Sequence, residues 1–218
     1  MSAPPRPQAE FLVAAESVRH LVGQVAVVQH WNEPSALEHL SVAGLAAHLA
    51  SQVLGVHAAV TRGEAVTDED PVPLLEHYER VPWLRGDLDD PANVTIREGA
   101  EQAAASGHDA ISKRLDDAVA DLRLAFGTPS MTLPPAIRMP WWEWSLSFED
   151  FLLTRVMEIV VHSDDLAVSV DVEPPPLPEE VLGPVLALLV GVSLRRHGQS
   201  AVVRALARSE RAGGISAF

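Results

Sequence analysis

Glu158 and His162, a carboxylate and an imidazole four residues apart, lie in residues 147–168 of the chain. At about 100° per residue they stand one turn apart on one helical face, able to hold a metal ion between them. Between Phe151 and His162 the polar residues are Thr154, Arg155, Glu158 and His162, one stripe that Asp165 extends by a turn. Asp165 is placed either to accept a hydrogen bond from His162 or to be a surface carboxylate at a helix end. Arg155 is placed either to bind a substrate carboxylate or to pair with Glu158. The whole stripe also fits a solvated face whose ion pairs contribute little.

A second set lies earlier. On a helix from Ser41, His48 shares a face with Ser41, Gln52, Gly55 and Ala59, beside an apolar stripe of Leu45, Leu49, Val53 and Val56. That fits a cleft wall, or an ordinary half-buried histidine with a hydrogen-bond partner. Trp141, Trp142 and Trp144 precede the Glu158 segment and either anchor a loop or line an apolar pocket. His39, His48 and His57 are nine residues apart and cannot face one point along a single helix. His20, His30, His77, His108 and His197 have no acidic or histidine neighbour at ligating spacing and read as surface residues.

Helical periodicity must position these groups, because strand-like alternation is almost absent. One amphipathic helix is expected over residues 8–30, and a second from the Ser41 N-cap to about Arg62, stopped by Gly63. A short helix follows Pro73, and residues 82–90 read as loop. Asn93 is expected to cap a long helix to Phe126, with Gly99 and Gly107 inside it. Residues 128–145 form one long irregular stretch. Ser147, with Asp150 three residues on, resembles a capping box opening the Glu158 helix. Pro174, Pro175, Pro176 and Pro178 make a stiff connector to helices over about 178–197 and 200–211. The expectation is an all-α bundle whose site is built from inward side chains.

Composition excludes several classes. The 218 residues are 47% hydrophobic, with 16 basic and 30 acidic side chains and a net charge of −14, so a polyanion partner would need a local basic patch. The arginines at 195, 196, 204, 208 and 211 read as solvated helix positions instead. The longest apolar run, residues 181–194, is too short to span a bilayer and holds Gly183 and Pro184. Residues 1–10 read as a loose tail without a secretory signal. A cytoplasmic protein with neither nucleic-acid nor membrane partners is expected. With no cysteine in the chain, disulfides and thiolate ligands are absent, and any reacting thiol must come from outside.

Trp31, Ser35 and the run SVAGLAAHL over 41–49, followed by RVMEIVVHSDDL over 155–166, resemble the mycothiol-dependent maleylpyruvate isomerase family of the DinB-like superfamily. The resemblance spans about residues 8–170 and rests on the combination of an HL motif with RxxExxxHxxDL. It implies a DinB-like four-helix bundle, to which the helices read after the proline connector are added, so that the expected organisation is a bundle over 1–170 and a packed helical extension over 171–218. It implies a divalent ion, commonly zinc and otherwise nickel or another metal, held by His48, Glu158 and His162. Three protein ligands would leave a coordination position open, as in catalytic zinc sites. It also implies mycothiol as cosubstrate. From their places on the helices and the loop, Gln52 and Trp142 are candidate contacts for that thiol, and Arg155 and Asp165 candidate catalytic residues. The thiolate would add to a small electrophile, followed by isomerisation or S-transfer. A hydrolase using metal-activated water and a non-catalytic metal- or ligand-binding bundle are the alternatives. Full-length maleylpyruvate isomerases carry a distinct C-terminal domain, where this chain reads as two helices and a short tail.

Overall fold

The computed structural model describes residues 7–84 and 87–218. Of the expected N-terminal tail, residues 1–6 lie outside the described residues. Helix α1 (Pro7–Val22) buries Phe11, Ala14, Ala15, Val18, Leu21 and Val22 at helical spacing. The helix expected over residues 8–30 is interrupted at Gly23 and Gln24, and α2 (Val25–Gln29) is a separate short piece. A Cβ on Gly23 would stand 3.1 Å from the carbonyl of Arg19, so the tight helix exit suits glycine.

Helix α3 (Val42–Arg62) begins and ends where expected. The Ser41 hydroxyl accepts from the Gly44 amide at 2.9 Å, and Gly63 closes the helix in the left-handed region at φ 68°. Glu101 reinforces this start, accepting from the Ser41 amide at 2.7 Å and its hydroxyl at 2.9 Å. Any Cβ on Gly44 would come within 2.6 Å of the Glu101 carboxylate. Val42, Leu45, Leu49, Val53 and Val56 are fully buried. Burial of each such aliphatic side chain contributes about 1.5–3 kcal/mol. This helix is apolar enough to pass a length test for a membrane span, yet 72% of its most apolar window is buried inside the protein. It is a core helix.

A short α4 (Leu74–Arg80) follows, then a 3-10 turn at Pro82–Leu84. The single helix expected over residues 93–126 is two helices, α5 (Pro91–Ala104) and α6 (His108–Phe126). The N-cap is Asp90, whose carboxylate accepts from the Ala92 amide at 3.0 Å, with Pro91 at the first helical position; Asn93 lies inside the helix. Between α5 and α6 Gly107 takes φ 84°. Both α5 and α6 pack on α3. A straight 34-residue helix would run about 51 Å against about 32 Å for α3, so the chain must fold back to cover it.

Residues 128–145 are less irregular than expected, since part of this stretch joins a small antiparallel sheet. Strands β1 (Val66–Thr67), β2 (Ala136–Ile137) and β3 (Leu146–Ser147) lie in that order, with Val66 opposite Ile137 and Ile137 opposite Leu146. Ile137 and Leu146 are fully buried and pin the sheet to the core. Two-residue strands are too short to show any alternation in sequence. Helix α7 (Phe148–Ser169) starts at the expected cap, the Ser147 hydroxyl accepting from the Asp150 amide at 3.0 Å.

Helices α1, α3, α6 and α7 pack against one another as a four-helix bundle, with α5 laid on α3. After the proline connector, α8 (Glu179–His197) packs on α1, α4 and α7, and α9 (Gln199–Ala207) packs on α8. Val181, Val185, Leu188 and Val192 of α8 share one apolar core with Phe11, Leu45 and Met157 of the bundle. The last expected helix stops at Ala207, and Ser209–Arg211 is a 3-10 turn.

Candidate metal centre

The contact between α3 and α7 brings together residues 110 positions apart in the chain. Leu45, Leu49 and Val53 turn one face of α3 into the core, which leaves His48 on the flank toward α7. On α7, Met157 and Ile159 are buried in the core while Glu158 and His162 follow the polar stripe. Nε2 of His162 lies 3.2 Å and Nε2 of His48 3.8 Å from Oε2 of Glu158. The two imidazole rings meet edge to face at 4.9 Å between centroids. One donor atom from each of the three residues falls within 4.8 Å of the others; among the described residues this is the one such cluster.

Those separations suit an ion. Two atoms bound to one tetrahedral ion at about 2.1 Å stand about 3.4 Å apart. The set of two imidazoles and one carboxylate is a donor chemistry that zinc and other divalent ions accept. The side chains of His48, Glu158 and His162 are 19%, 14% and 20% exposed, too buried for a solvated stripe and open enough for a small ligand to reach them.

Electrostatics point the same way. Burial alone would raise the Glu158 carboxyl, but hydrogen bonds from His162 and His48 and the positive charges of His162 and Arg155 hold it well below the usual carboxylate range. Burial disfavours a charged His162, yet hydrogen bonds to Asp165 and Glu158 outweigh it and push the imidazole up to about 9. Positive charge is thus favoured on the His162 ring, between Glu158 and Asp165, and an ion bound at Nε2 would have to displace the proton held there.

Asp165 takes the first of its two expected positions. Its Oδ2 lies 2.9 Å from Nδ1 of His162, which orients the ring with Nε2 toward Glu158. Arg155 does not pair with Glu158. Its Nη1 donates to Oε1 of Gln52 at 2.6 Å and its Nε to Thr154 Oγ1 at 3.2 Å, while the guanidinium lies 5.5 Å from the centre of the Phe151 ring. Gln52 is buried, and its Nε2 stands 3.3 Å from Nε2 of His48.

The three neighbouring tryptophans separate. Trp141 is 72% exposed, whereas Trp142 is buried and stacks on Trp144 at 6.2 Å with 5° between planes. Facing them from α4 is His77, which the sequence placed on the surface and the fold buries to 2% exposure. Its Nδ1 accepts from Trp144 Nε1 at 3.0 Å, and its ring lies 4.6 Å from Trp142. Burial, then the Arg155 charge, lower its pKa to about 4 against an opposing pull from Glu158. The charges of Arg155 and Glu158, both on α7, are thus felt at this aromatic cluster. A seven-residue α4 has too few turns for periodicity to reveal that its histidine faces inward. His108, also read as a surface residue, is half-buried and bonds the Val22 carbonyl at 2.9 Å.

No curated protein and no solved structure matches this chain. One family does, described as the mycothiol maleylpyruvate isomerase N-terminal domain, over residues 11–167. That span contains most of α1 and α7, all of α3, α6 and the small sheet, and each residue of the cluster. The chain belongs to the mycothiol maleylpyruvate isomerase N-terminal domain family, a DinB-like helical family.

Proposed function

We propose that this protein is a cytoplasmic divalent-metal enzyme that activates a low-molecular-weight thiol, mycothiol by family membership, toward a small electrophilic substrate. The observation that carries the reading is the convergence of His48, Glu158 and His162 at ligand-to-ligand distances with, among the described residues, no fourth carboxylate or imidazole in the cluster. His48, Glu158 and His162 would hold the ion, zinc foremost, and Asp165 would fix the His162 ring. A bound ion of this kind supplies Lewis acidity and lowers the pKa of a thiol placed on it.

The chain's own residues supply the rest. With no cysteine, the protein cannot provide the nucleophilic sulfur, and an external thiol fills that role. Arg155 is fixed by Thr154 and Gln52 beside Glu158 and retains donors to receive an anionic group of the substrate. Buried Trp142 with Trp144 offers an apolar wall, and Gln52 a polar contact, for the thiol cosubstrate. Addition of the thiolate to an electrophilic carbon leads either to bond rotation and release of the thiol or to a retained thioether.

Purified protein loaded with zinc or nickel is the test. Stoichiometric metal in the wild type, its loss in His48→Ala and His162→Ala, and turnover of electrophiles that requires added mycothiol support the reading. Turnover indifferent to thiol would transfer the site to metal-activated water. Sub-stoichiometric metal, or undiminished binding in both alanine variants, overturns the metal assignment.

A further inference from the structure

We propose that Arg155 is a positioning residue that acts through Gln52 to keep the centre open. By holding the amide oxygen of Gln52, it turns the amide nitrogen toward His48 and denies the ion a fourth protein donor. The inference rests on His48, Glu158 and His162 being metal ligands.

The two ends of a glutamine amide differ in chemistry. The oxygen has lone pairs that suit a divalent ion, whereas the NH2 group is a donor only and cannot ligate. Gln52 follows His48 by one turn of α3 and is buried with its Nε2 3.3 Å from His48 Nε2. That is close to the roughly 3.4 Å between two atoms sharing one tetrahedral ion. Gln52 Nε2 is within hydrogen-bond distance of that ring nitrogen, and an amide oxygen in its place would stand at the one-ion separation from His48, so the orientation of the amide bears on how many donors the protein offers.

Arg155 sets the orientation. Its Nη1 donates a short, charge-assisted bond of 2.6 Å to Oε1, from a guanidinium anchored on Thr154 Oγ1 and against Phe151. At the other end, Nε2 also donates to the His48 carbonyl at 3.1 Å. Flipping the amide would set its NH2 against the guanidinium and its oxygen against a carbonyl, leaving buried groups unpaired at both ends. With Arg155 removed, an ion becomes the strongest partner available to Oε1. Its binding would then compensate the flip.

The experiment compares wild type, Arg155→Met, Gln52→Leu, the double variant and Gln52→Glu. Zinc affinity is measured by competition with a chromophoric chelator, and the ligand field is read from the visible absorption of the cobalt-loaded protein. Arg155→Met is expected to bind zinc about tenfold tighter, with a cobalt spectrum showing an added oxygen donor. That gain should vanish when Gln52→Leu is added. Gln52→Glu, with Arg155 intact and an oxygen in place of the nitrogen, should tighten zinc likewise and blunt the cobalt spectral response to added thiol.

Wild-type affinity in Arg155→Met overturns the inference, as does a gain that persists in the Gln52→Leu background, which would trace it to loss of a nearby cation. If Arg155→Met does not fold, Gln52→Glu decides, and unchanged zinc affinity there overturns it. A wild type that binds no metal overturns the metal reading itself, an outcome distinct from a metal-binding wild type with unresponsive variants.

Discussion

Asp165 shows how much a residue outside the proposed ligand set can control. Its carboxylate holds Nδ1 of His162 and thereby the direction of Nε2. Partners of this kind raise ligand basicity and fix ring orientation. Asp165→Asn should weaken zinc binding about 10- to 100-fold without unfolding the protein, as isothermal titration would record. The i, i+4 pairing of Glu158 and His162 was legible in the sequence because the two lie one turn apart on one helix, and the same local spacing offered the Asp165 contact as one of two alternatives. The bond from Arg155 to Gln52 was not, since it joins residues 103 positions apart and displaces the simpler pairing with Glu158. His48 became a ligand candidate only through the motif resemblance, because one histidine on a helix has no local signature.

At the scale of elements, the serine caps of α3 and α7 were legible, whereas the Asp90 cap of α5 and the helix interruptions were not. Ser41 and Ser147 announce α3 and α7 through their side-chain chemistry. The break between α5 and α6 is concealed because Ala100, Ala104, Ile111 and Leu115 recur at steps of four, seven and four, which a continuous helix also produces. Gly107 carries the break, and Gly107→Ala should cost about 1–3 kcal/mol because its φ of 84° with ψ of 161° is a conformation essentially confined to glycine, seen as a lowered denaturation midpoint. The start of α3 depends on Ser41 and Glu101 together. Glu101→Ala should destabilise the protein by about 1–2 kcal/mol through lost bonds to the Ser41 amide and hydroxyl, measured by chemical denaturation.

For the whole molecule, the buried His77 makes stability depend on pH. Its folded pKa of about 4 lies below the unfolded value of about 6.5, so the neutral form is the one the fold accommodates. The associated stability is fully present above about pH 6.5 and is lost as pH falls toward 4, because protonation then favours the unfolded chain. Wild type should lose about 3 kcal/mol more than His77→Gln between pH 7 and 4 in parallel urea titrations. Equal losses would show that His77 does not contribute to acid lability. The aromatic cluster around it is a whole-molecule feature, joining α4 to the segment that precedes α7.

The position of His48 on α3 and Glu158 on α7 has a topological consequence. An ion shared by them would cross-link the chain across a loop of about 110 residues, in a protein with no cysteine to make such a link covalently. In the chain-entropy picture, a permanent tie across a loop of about 100 residues removes about 4.7 kcal/mol of freedom from the unfolded ensemble. A coordinate tie is reversible, so the protection would be graded by free metal concentration. Cellular metal supply would thus set the protein's resistance to proteolysis as well as its chemistry.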